Sequence, residues 1–281
     1  IACNGFSPHD LRLRFLCWWR FGYCNAFGYD DQRDERGSVG LGGNIGGSFQ
    51  EFLEKRQWFA QRPVCFFAQT SWSGSIMRLA PVPLFYHSGH NLTGMLVAYL
   101  QSKTTHQGDE AAECCRLLTY VIIQAINDEL NQKIERVLGA LDEKFTSPLY
   151  SIMCLAGSKA EESHPENRAL KLDLADRDWN WQKDSFRWSA SRSREQPGYV
   201  GSYAMDCLAM ALHCVWTTRS FSEAILKCAN IRGDADTVTA VTGQIAGALY
   251  GVAHIPPAWI EAVQQWDNGG DIALRAHRLC T

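Results

Sequence analysis

The sequence predicts an all-α fold, with one mostly helical domain and a few long loops. Three observations carry this prediction. Apolar residues recur at helical spacing in most periodic stretches, helix-capping patterns precede several of these stretches, and strand patterns are few. A chain of 281 residues is long enough to bury a sizeable core.

The first predicted helix begins in the stretch SPHDLRLRFLCWWRFGY. Ser7 is placed to cap it, Pro8 to occupy its first turn, and Asp10 to face the positive end of its dipole. A second helix is predicted over residues 111–126. Its apolar face contains Leu117, Leu118, Val121, Ile122 and Ala125.

Three further helices are predicted in the C-terminal part of the chain. The first covers residues 203–218, where Cys207, Leu208, Ala211, Leu212 and Val215 share a face. The stretch SFSEAILKCANI begins with a capping box built on Ser220 or Ser222. The stretch PPAWIEAVQQW starts with prolines and continues with good helix formers.

Two stretches are predicted to be loops. Residues 30–49 are charged and then glycine-rich, and the adjacent Asp30 and Asp31 are interpreted as solvated charges within this loop. Residues 157–198 are polar and are interpreted as a surface excursion. Its tryptophans, Trp179, Trp181 and Trp188, are expected to dock against the rest of the domain.

Composition argues against several classes of protein. Hydrophobic residues make up 46% of the chain, charged residues 20%, and the formal net charge is −3, with no basic stripe that would indicate nucleic-acid binding. No apolar run approaches the roughly 20 residues of a membrane span, and no signal-peptide pattern is found. The 11 cysteines include no C-x-x-C pair, so reduced core thiols and a cytoplasmic location are expected.

An acidic turn at residues 234–237 is the first candidate site. Asp234, Asp236 and Thr237 stand at positions i, i+2 and i+3 before a predicted helix. Oxygen ligands that converge in this way suit Mg²⁺ or a similar hard cation. The alternative is that these residues only cap the helix and complement its dipole.

The helix after this turn carries glycine at every fourth position, Gly243, Gly247 and Gly251. Each glycine inside a helix costs about 1 kcal/mol relative to alanine. Close backbone-to-backbone packing is the predicted reason, and it would hold the acidic turn on a rigid helix.

Four segments, in order, resemble the ADP-ribosylglycohydrolase family. They are HDLRLRFLCWWRFGYCNAFG, SGSIMRLAPVPLFY at 73–86, TTHQGDEAAECC at 104–115, and residues 198–251 followed by IPPAW. The resemblance covers nearly the whole chain except the polar excursion. It implies a single compact orthogonal helical domain over residues 1–281.

The resemblance also implies a function and a site. In the family, two Mg²⁺ ions bind ADP-ribose and assist hydrolysis of the bond from its C1″ atom to a protein side chain or small acceptor. Asp234, Asp236 and Thr237 match the metal ligands of the family's C-terminal motif. Ser73, Gly74 and Ser75 match its substrate loop. His106 matches its substrate histidine, although a capping or core role is the alternative for that residue.

The sequence departs from the family at the other half of the metal site. The family carries a Thr-Asp-Asp-Thr motif that supplies further ligands and a catalytic acid, and no such motif occurs in these 281 residues. Gly40-Leu41-Gly42 also stands where the family places Asp-Ile-Gly. We therefore expect one Mg²⁺ or none, no identified catalytic acid, and little or no hydrolysis by this chain. The alternative function is a non-catalytic relative that binds other protein subunits.

Overall fold

The computed structural model describes residues 5–24, 38, 40–55, 71–128, 133–163, 177–187, 202–267 and 270–280. Over these residues the chain is helical, and its only β pairs are two isolated bridges, Trp72–Tyr203 and Ala160–Asp178. The helices are α1 (Pro8–Phe21), α2 (Gly43–Lys55), α3 (Gly74–Met77), α4 (Pro81–Tyr86), α5 (Asn91–Lys103), α6 (Asp109–Asn127), α7 (Lys133–Leu138), α8 (Leu141–Lys144), α9 (Tyr150–Ala156), α10 (Ala204–Trp216), α11 (Phe221–Ala229), α12 (Ala235–Tyr250), α13 (Pro257–Gln264) and α14 (Asp271–Cys280). The predicted all-α fold is confirmed.

Helices α6 and α10 form the centre of the domain. Thirteen of the 19 residues of α6 are buried, and so are 12 of the 13 residues of α10. Both helices pack against each other and against α12, and α6 also contacts α3, α4 and α5. A helix that is apolar on nearly every side belongs in the interior, so the other helices are arranged around this pair.

The capping patterns in the sequence are confirmed where they can be compared. The hydroxyl oxygen of Ser7 accepts the Asp10 amide hydrogen at the start of α1, at 3.3 Å. Ser220 rather than Ser222 caps α11, since its hydroxyl oxygen accepts from the Glu223 amide at 3.2 Å. The Glu223 carboxylate accepts from the amide of Arg219, which lies one residue before the cap.

The predicted loop over residues 30–49 is wrong at its C-terminal end, because α2 begins at Gly43. Phe49 and Phe52 of this helix pack with Leu16 of α1 in a small separate cluster. This burial offsets the low helix propensity of the glycines. Asp30 and Asp31 lie outside the described residues.

The polar excursion contributes to the core where the structure describes it. Trp179 and Trp181 are fully buried, as their expected docking requires. The Trp179 indole N–H donates to Glu161 at 2.8 Å, and that of Trp181 donates to the Leu155 carbonyl at 2.6 Å. The interpretation of residues 157–198 as a surface segment is therefore wrong around these two indoles. Trp188 lies outside the described residues.

The glycines of α12 do not serve the packing that we predicted for them. A Cβ atom at Gly243 would lie 3.7 Å from Ile225, an ordinary contact, and one at Gly247 would meet nothing within 4 Å in the described part of the chain. Gly251 ends the helix with a φ of +78°. Branched side chains such as Val241 and Ile245 face the core instead, so they set the distance to neighbouring helices.

Two further expectations concern membrane spans and cysteines. No helix in the described ranges has the length and hydropathy needed to cross a bilayer. Nine cysteines are described, all as free thiols, and six of them are buried. The buried set is Cys114, Cys115, Cys154, Cys207, Cys214 and Cys228. These six are the small core residues that the sequence predicts.

We predict that Trp181→Ala destabilises the protein by about 3–5 kcal/mol, because it leaves a large cavity and removes a buried hydrogen bond to the Leu155 carbonyl. Urea unfolding followed by circular dichroism measures this change. Trp266→Ala is the matched control, since that indole is 49% exposed and its loss should change stability little. An equal loss in both variants would contradict the docking of Trp181.

Candidate functional site

The predicted substrate loop, Ser73-Gly74-Ser75, is a tight turn that leads into the short helix α3. The Ser73 amide donates to the Ser202 carbonyl at 2.7 Å, next to the Trp72–Tyr203 bridge. The amides of Gly74 and Ser75 donate to no other group in the described part of the chain. Gly74 is partly exposed, so its amide is available to an external acceptor, whereas Ser75 is fully buried.

Ser75 has its side chain in the core rather than toward a ligand. It is fully buried, and its hydroxyl oxygen accepts from Ser102 at 2.8 Å. The Gln101 amide nitrogen donates to the Ser75 carbonyl at 3.1 Å. The Ser75 side chain and carbonyl thus anchor the turn to α5.

Helix α12 holds α3 from another side. The side-chain nitrogen of Gln244 donates to the carbonyls of Ile76 and Met77, both at 3.0 Å. The Met77 carbonyl has no other donor among the described residues, and the Ile76 carbonyl also accepts from the Leu79 amide, so Gln244 completes the pairing at the end of this short helix. The sequence offers only a weak signal for this role, a polar residue at the edge of the apolar face of α12.

The structure brings His106 next to the predicted substrate loop. A Cβ atom placed on Gly74 would lie 3.2 Å from both Nε2 and Cε1 of the imidazole, so the absence of a side chain at Gly74 accommodates the ring. His106 is buried. Burial, together with the charge of Arg78, lowers the pKa of His106 to about 3, so the ring is neutral at physiological pH.

Arg78 lies near His106, and its guanidinium is held by hydrogen bonds and by a contact with an aromatic ring. Its guanidinium donates to Gln101 Oε1 at 3.0 Å and to Thr105 Oγ1 at 2.7 Å. Its central carbon lies 4.4 Å from the ring centroid of Phe15 in α1. Burial lowers the pKa of Arg78 to about 10, which leaves the group charged at neutral pH.

The acidic turn begins α12, with Asp234 at the N-cap position. The Asp234 side chain makes no capping hydrogen bond to the helix backbone, so simple capping does not account for it. The hydroxyl groups of Thr237 and Ser202 lie near its carboxylate and favour the charged form. Burial raises the pKa of Asp234, nearby Asp236 adds to the shift, and the hydrogen bonds from Thr237 and Ser202 oppose it.

Ser202 joins the two predicted halves of the site. Its carbonyl accepts from the amide of Ser73, and its hydroxyl lies near Asp234. No pattern in the sequence indicates this role, because a serine near the start of a helix is an ordinary capping residue. The predicted substrate loop, with His106 beside it, and the start of the acidic turn therefore both lie next to Ser202 or its bonded neighbours.

The acidic turn supplies some, but not all, of the oxygen ligands that a hard cation requires. Two carboxylates and a hydroxyl offer oxygen donors, and burial, the main cause of the raised pKa of Asp234, makes its charged form unfavourable without a nearby cation. No cluster of three or more His, Cys, Asp or Glu side chains placed to hold a metal occurs within the described ranges. These side chains would hold an ion that keeps several other oxygen ligands.

Comparison with known proteins identifies the family and supports the fold. The ADP-ribosylglycohydrolase family model matches residues 1–281. A solved structure titled "ADP-ribosylglycohydrolase-related protein complex" superposes with a TM-score of 0.61 at 24% identity, over 99% of this chain and 76% of the other, and supports the fold.

Two curated relatives carry the name ADP-ribosylarginine hydrolase Tri1. The protein from Pseudomonas putida is 34% identical over 195 residues, which are 69% of this chain and 42% of the relative. The protein from Serratia proteamaculans is 26% identical over 268 residues, 94% of this chain and 59% of the relative. The matched regions thus span about half the length of these relatives. On the match over its full length, the chain belongs to the ADP-ribosylglycohydrolase family.

Proposed function

We propose that this protein acts in the removal of ADP-ribose from arginine side chains, and that these 281 residues bind the ADP-ribose group and supply only part of the metal site that its removal requires. The single observation that carries the proposal is the close approach of His106 to Gly74, in a turn whose Ser73 amide is bonded to Ser202, next to Asp234. The arginine acceptor is supported by the identity with the two relatives named ADP-ribosylarginine hydrolase.

The turn and His106 suit the diphosphate and ribose of such a substrate. The unpaired amide of the partly exposed Gly74 is a donor for an anionic oxygen, as backbone amides in other small-residue turns are. The neutral imidazole of His106 adds a hydrogen-bonding group without a charge. Because its pKa is far below neutrality, His106 orients the substrate and does not act as a general acid.

The acidic turn suits a cation that binds with the substrate. Members of the family are generally metal-dependent. Asp234, Asp236 and Thr237 would hold Mg²⁺, which would neutralise negative charge and orient oxygen atoms of the substrate. The chain's own contribution is to fix Asp234 through Ser202 and Thr237 at the start of a packed helix.

The second candidate is a non-catalytic relative that binds other protein subunits. The small number of ligands in the acidic turn favours a lack of catalysis, because the three oxygen ligands of Asp234, Asp236 and Thr237 do not hold two divalent ions. Ligand binding and catalytic turnover are therefore separate questions for this chain.

We predict that the chain binds ADP-ribose more tightly with Mg²⁺ than without it, as measured by calorimetry. Asp234→Asn and Asp236→Asn should remove this Mg²⁺ dependence and weaken binding in Mg²⁺ about tenfold or more, since each replaces a charged oxygen ligand. Asp184→Asn is the control, because that exposed carboxylate lies outside the site. Equal affinity with and without Mg²⁺ would argue against the acidic turn as a metal site.

We also predict no release of ADP-ribose from ADP-ribosylated arginine by these 281 residues in Mg²⁺, because Asp234, Asp236 and Thr237 are too few ligands for two ions. Chromatographic detection of free ADP-ribose checks this, with the ADP-ribosylserine linkage as a second substrate. Turnover that Asp234→Asn abolishes would show that the remaining ligands come from elsewhere in this chain.

A third prediction concerns pH. The ordinary pKa of His106 is 6.5 and burial lowers it to about 3, so between these values only the unfolded chain takes up this proton. The contribution of His106 to stability is present above pH 6.5 and is lost as the pH falls. Lowering the pH from about 7 to about 5 should therefore cost about 2 kcal/mol through this residue.

Urea unfolding of the wild type and His106→Gln at both pH values measures this contribution. The variant should lose less stability than the wild type on acidification. His254→Gln is the control, since His254 is exposed and its replacement should leave the pH dependence unchanged. Equal losses of stability on acidification in the wild type, His106→Gln and His254→Gln would contradict the predicted contribution of His106.

A further inference from the structure

A chain of hydrogen bonds runs from Arg78 through Thr105 to His106. The Arg78 guanidinium donates to Thr105 Oγ1 at 2.7 Å, and Thr105 Oγ1 lies 2.8 Å from His106 Nδ1. Thr105 and His106 are 2% and 1% exposed, so water does not substitute for these contacts. Which atom donates and which accepts in each hydrogen bond therefore depends only on the hydrogens that Arg78, Thr105 and His106 carry.

The guanidinium fixes the direction of the first bond. It carries only donors, so the Thr105 oxygen must accept. The single hydroxyl hydrogen of Thr105 then has one acceptor among the described residues, Nδ1 of His106. If Nδ1 carried the hydrogen instead, the hydroxyl hydrogen would be buried without an acceptor, which is unfavourable.

We propose that Arg78 and Thr105 are positioning residues that hold His106 as the neutral tautomer with its hydrogen on Nε2. The ring then presents an N–H donor, rather than an acceptor, beside Gly74. A Cβ atom at Gly74 would lie 3.2 Å from Nε2, so the donor faces the turn whose amides are unpaired. Nε2 has no hydrogen-bond acceptor of its own within the described ranges.

The surroundings of Arg78 keep this arrangement rigid. Its planar group contacts Gln101 Oε1, the Gln101 carbonyl and Thr105 Oγ1 at the same time, which the single ammonium of lysine does not reproduce. Its positive charge also opposes a second proton on His106. The donor at Nε2 therefore persists across the physiological pH range.

This arrangement predicts the kind of ligand atom that His106 accepts. Two N–H donors, from Gly74 and His106 Nε2, belong to adjacent residues of the site, and they suit oxygen atoms that carry lone pairs. Resting on the proposed function, we assign this donor to an oxygen of ADP-ribose. The tautomer itself does not depend on that function.

The tautomer can be read from nitrogen NMR of protein labelled with ¹⁵N-histidine. The chain has eight histidines, so the His106 signals are assigned by their loss in His106→Gln. We expect a pyrrole-type Nε2 and a pyridine-type Nδ1 in the wild type. Thr105→Val should mix the tautomers or shift the signals toward Nδ1–H, while Thr105→Ser, which keeps the hydroxyl, should retain the wild-type pattern.

Two results would overturn the inference. One is a wild-type ring that is protonated on Nδ1 or on both nitrogens. The other is a Thr105→Val spectrum identical to that of the wild type. If Thr105→Val does not fold, the wild-type and Arg78→Lys spectra test the tautomer instead. The lysine variant should show a weaker preference for Nε2–H than the wild type.

Calorimetry with ADP-ribose links the tautomer to binding. Thr105→Val should weaken binding about tenfold, and Thr105→Ser should not. Unchanged affinity in Thr105→Val would overturn the role of Nε2 as a ligand donor. If the wild type binds no ADP-ribose, the proposed function fails, while the nitrogen spectra still decide the tautomer.

Discussion

The site depends on the burial of one short segment, residues 71–78, among helices that are distant in sequence. A helix of four residues cannot satisfy its own backbone groups, and buried groups that stay unpaired are costly. Each partner therefore comes from elsewhere: Ser202 and Ala204 precede or begin α10, Gln101 lies in α5 and Gln244 lies in α12. Any change in the packing of these helices would move the turn that carries Gly74.

The same constraint explains the two chemical characters of the site. On one side, His106 is buried against Gly74 with Arg78 behind it, which makes the ring a neutral hydrogen-bonding group. On the other side, Asp234 and Asp236 interact closely and the Asp234 pKa is raised, which favours a cation. A ligand with anionic oxygens that binds together with Mg²⁺ would satisfy both sides, and ADP-ribose has this chemistry.

Local patterns predicted the helices well and their packing less well. Ser7, Ser220 and the apolar face of α6 are local signals, and the structure confirms them. The glycines led to two wrong predictions. At the start of α2 they suggested a loop where burial of phenylalanines favours a helix, and in α12 they suggested backbone contacts where side chains face the core.

The sequence by itself determined the helical class and the family. It also named residues 73–75, 106 and 234–237 as the candidate site. These features reside in residue types and in their order, which are local properties. Only the tertiary structure decided that Ser75 faces the core, that Ser202 joins Ser73 to Asp234, and that Arg78 and Thr105 act on His106. Pairings of this kind depend on which buried donors meet which acceptors across the fold, and that is settled by the packing of helices far apart in the chain.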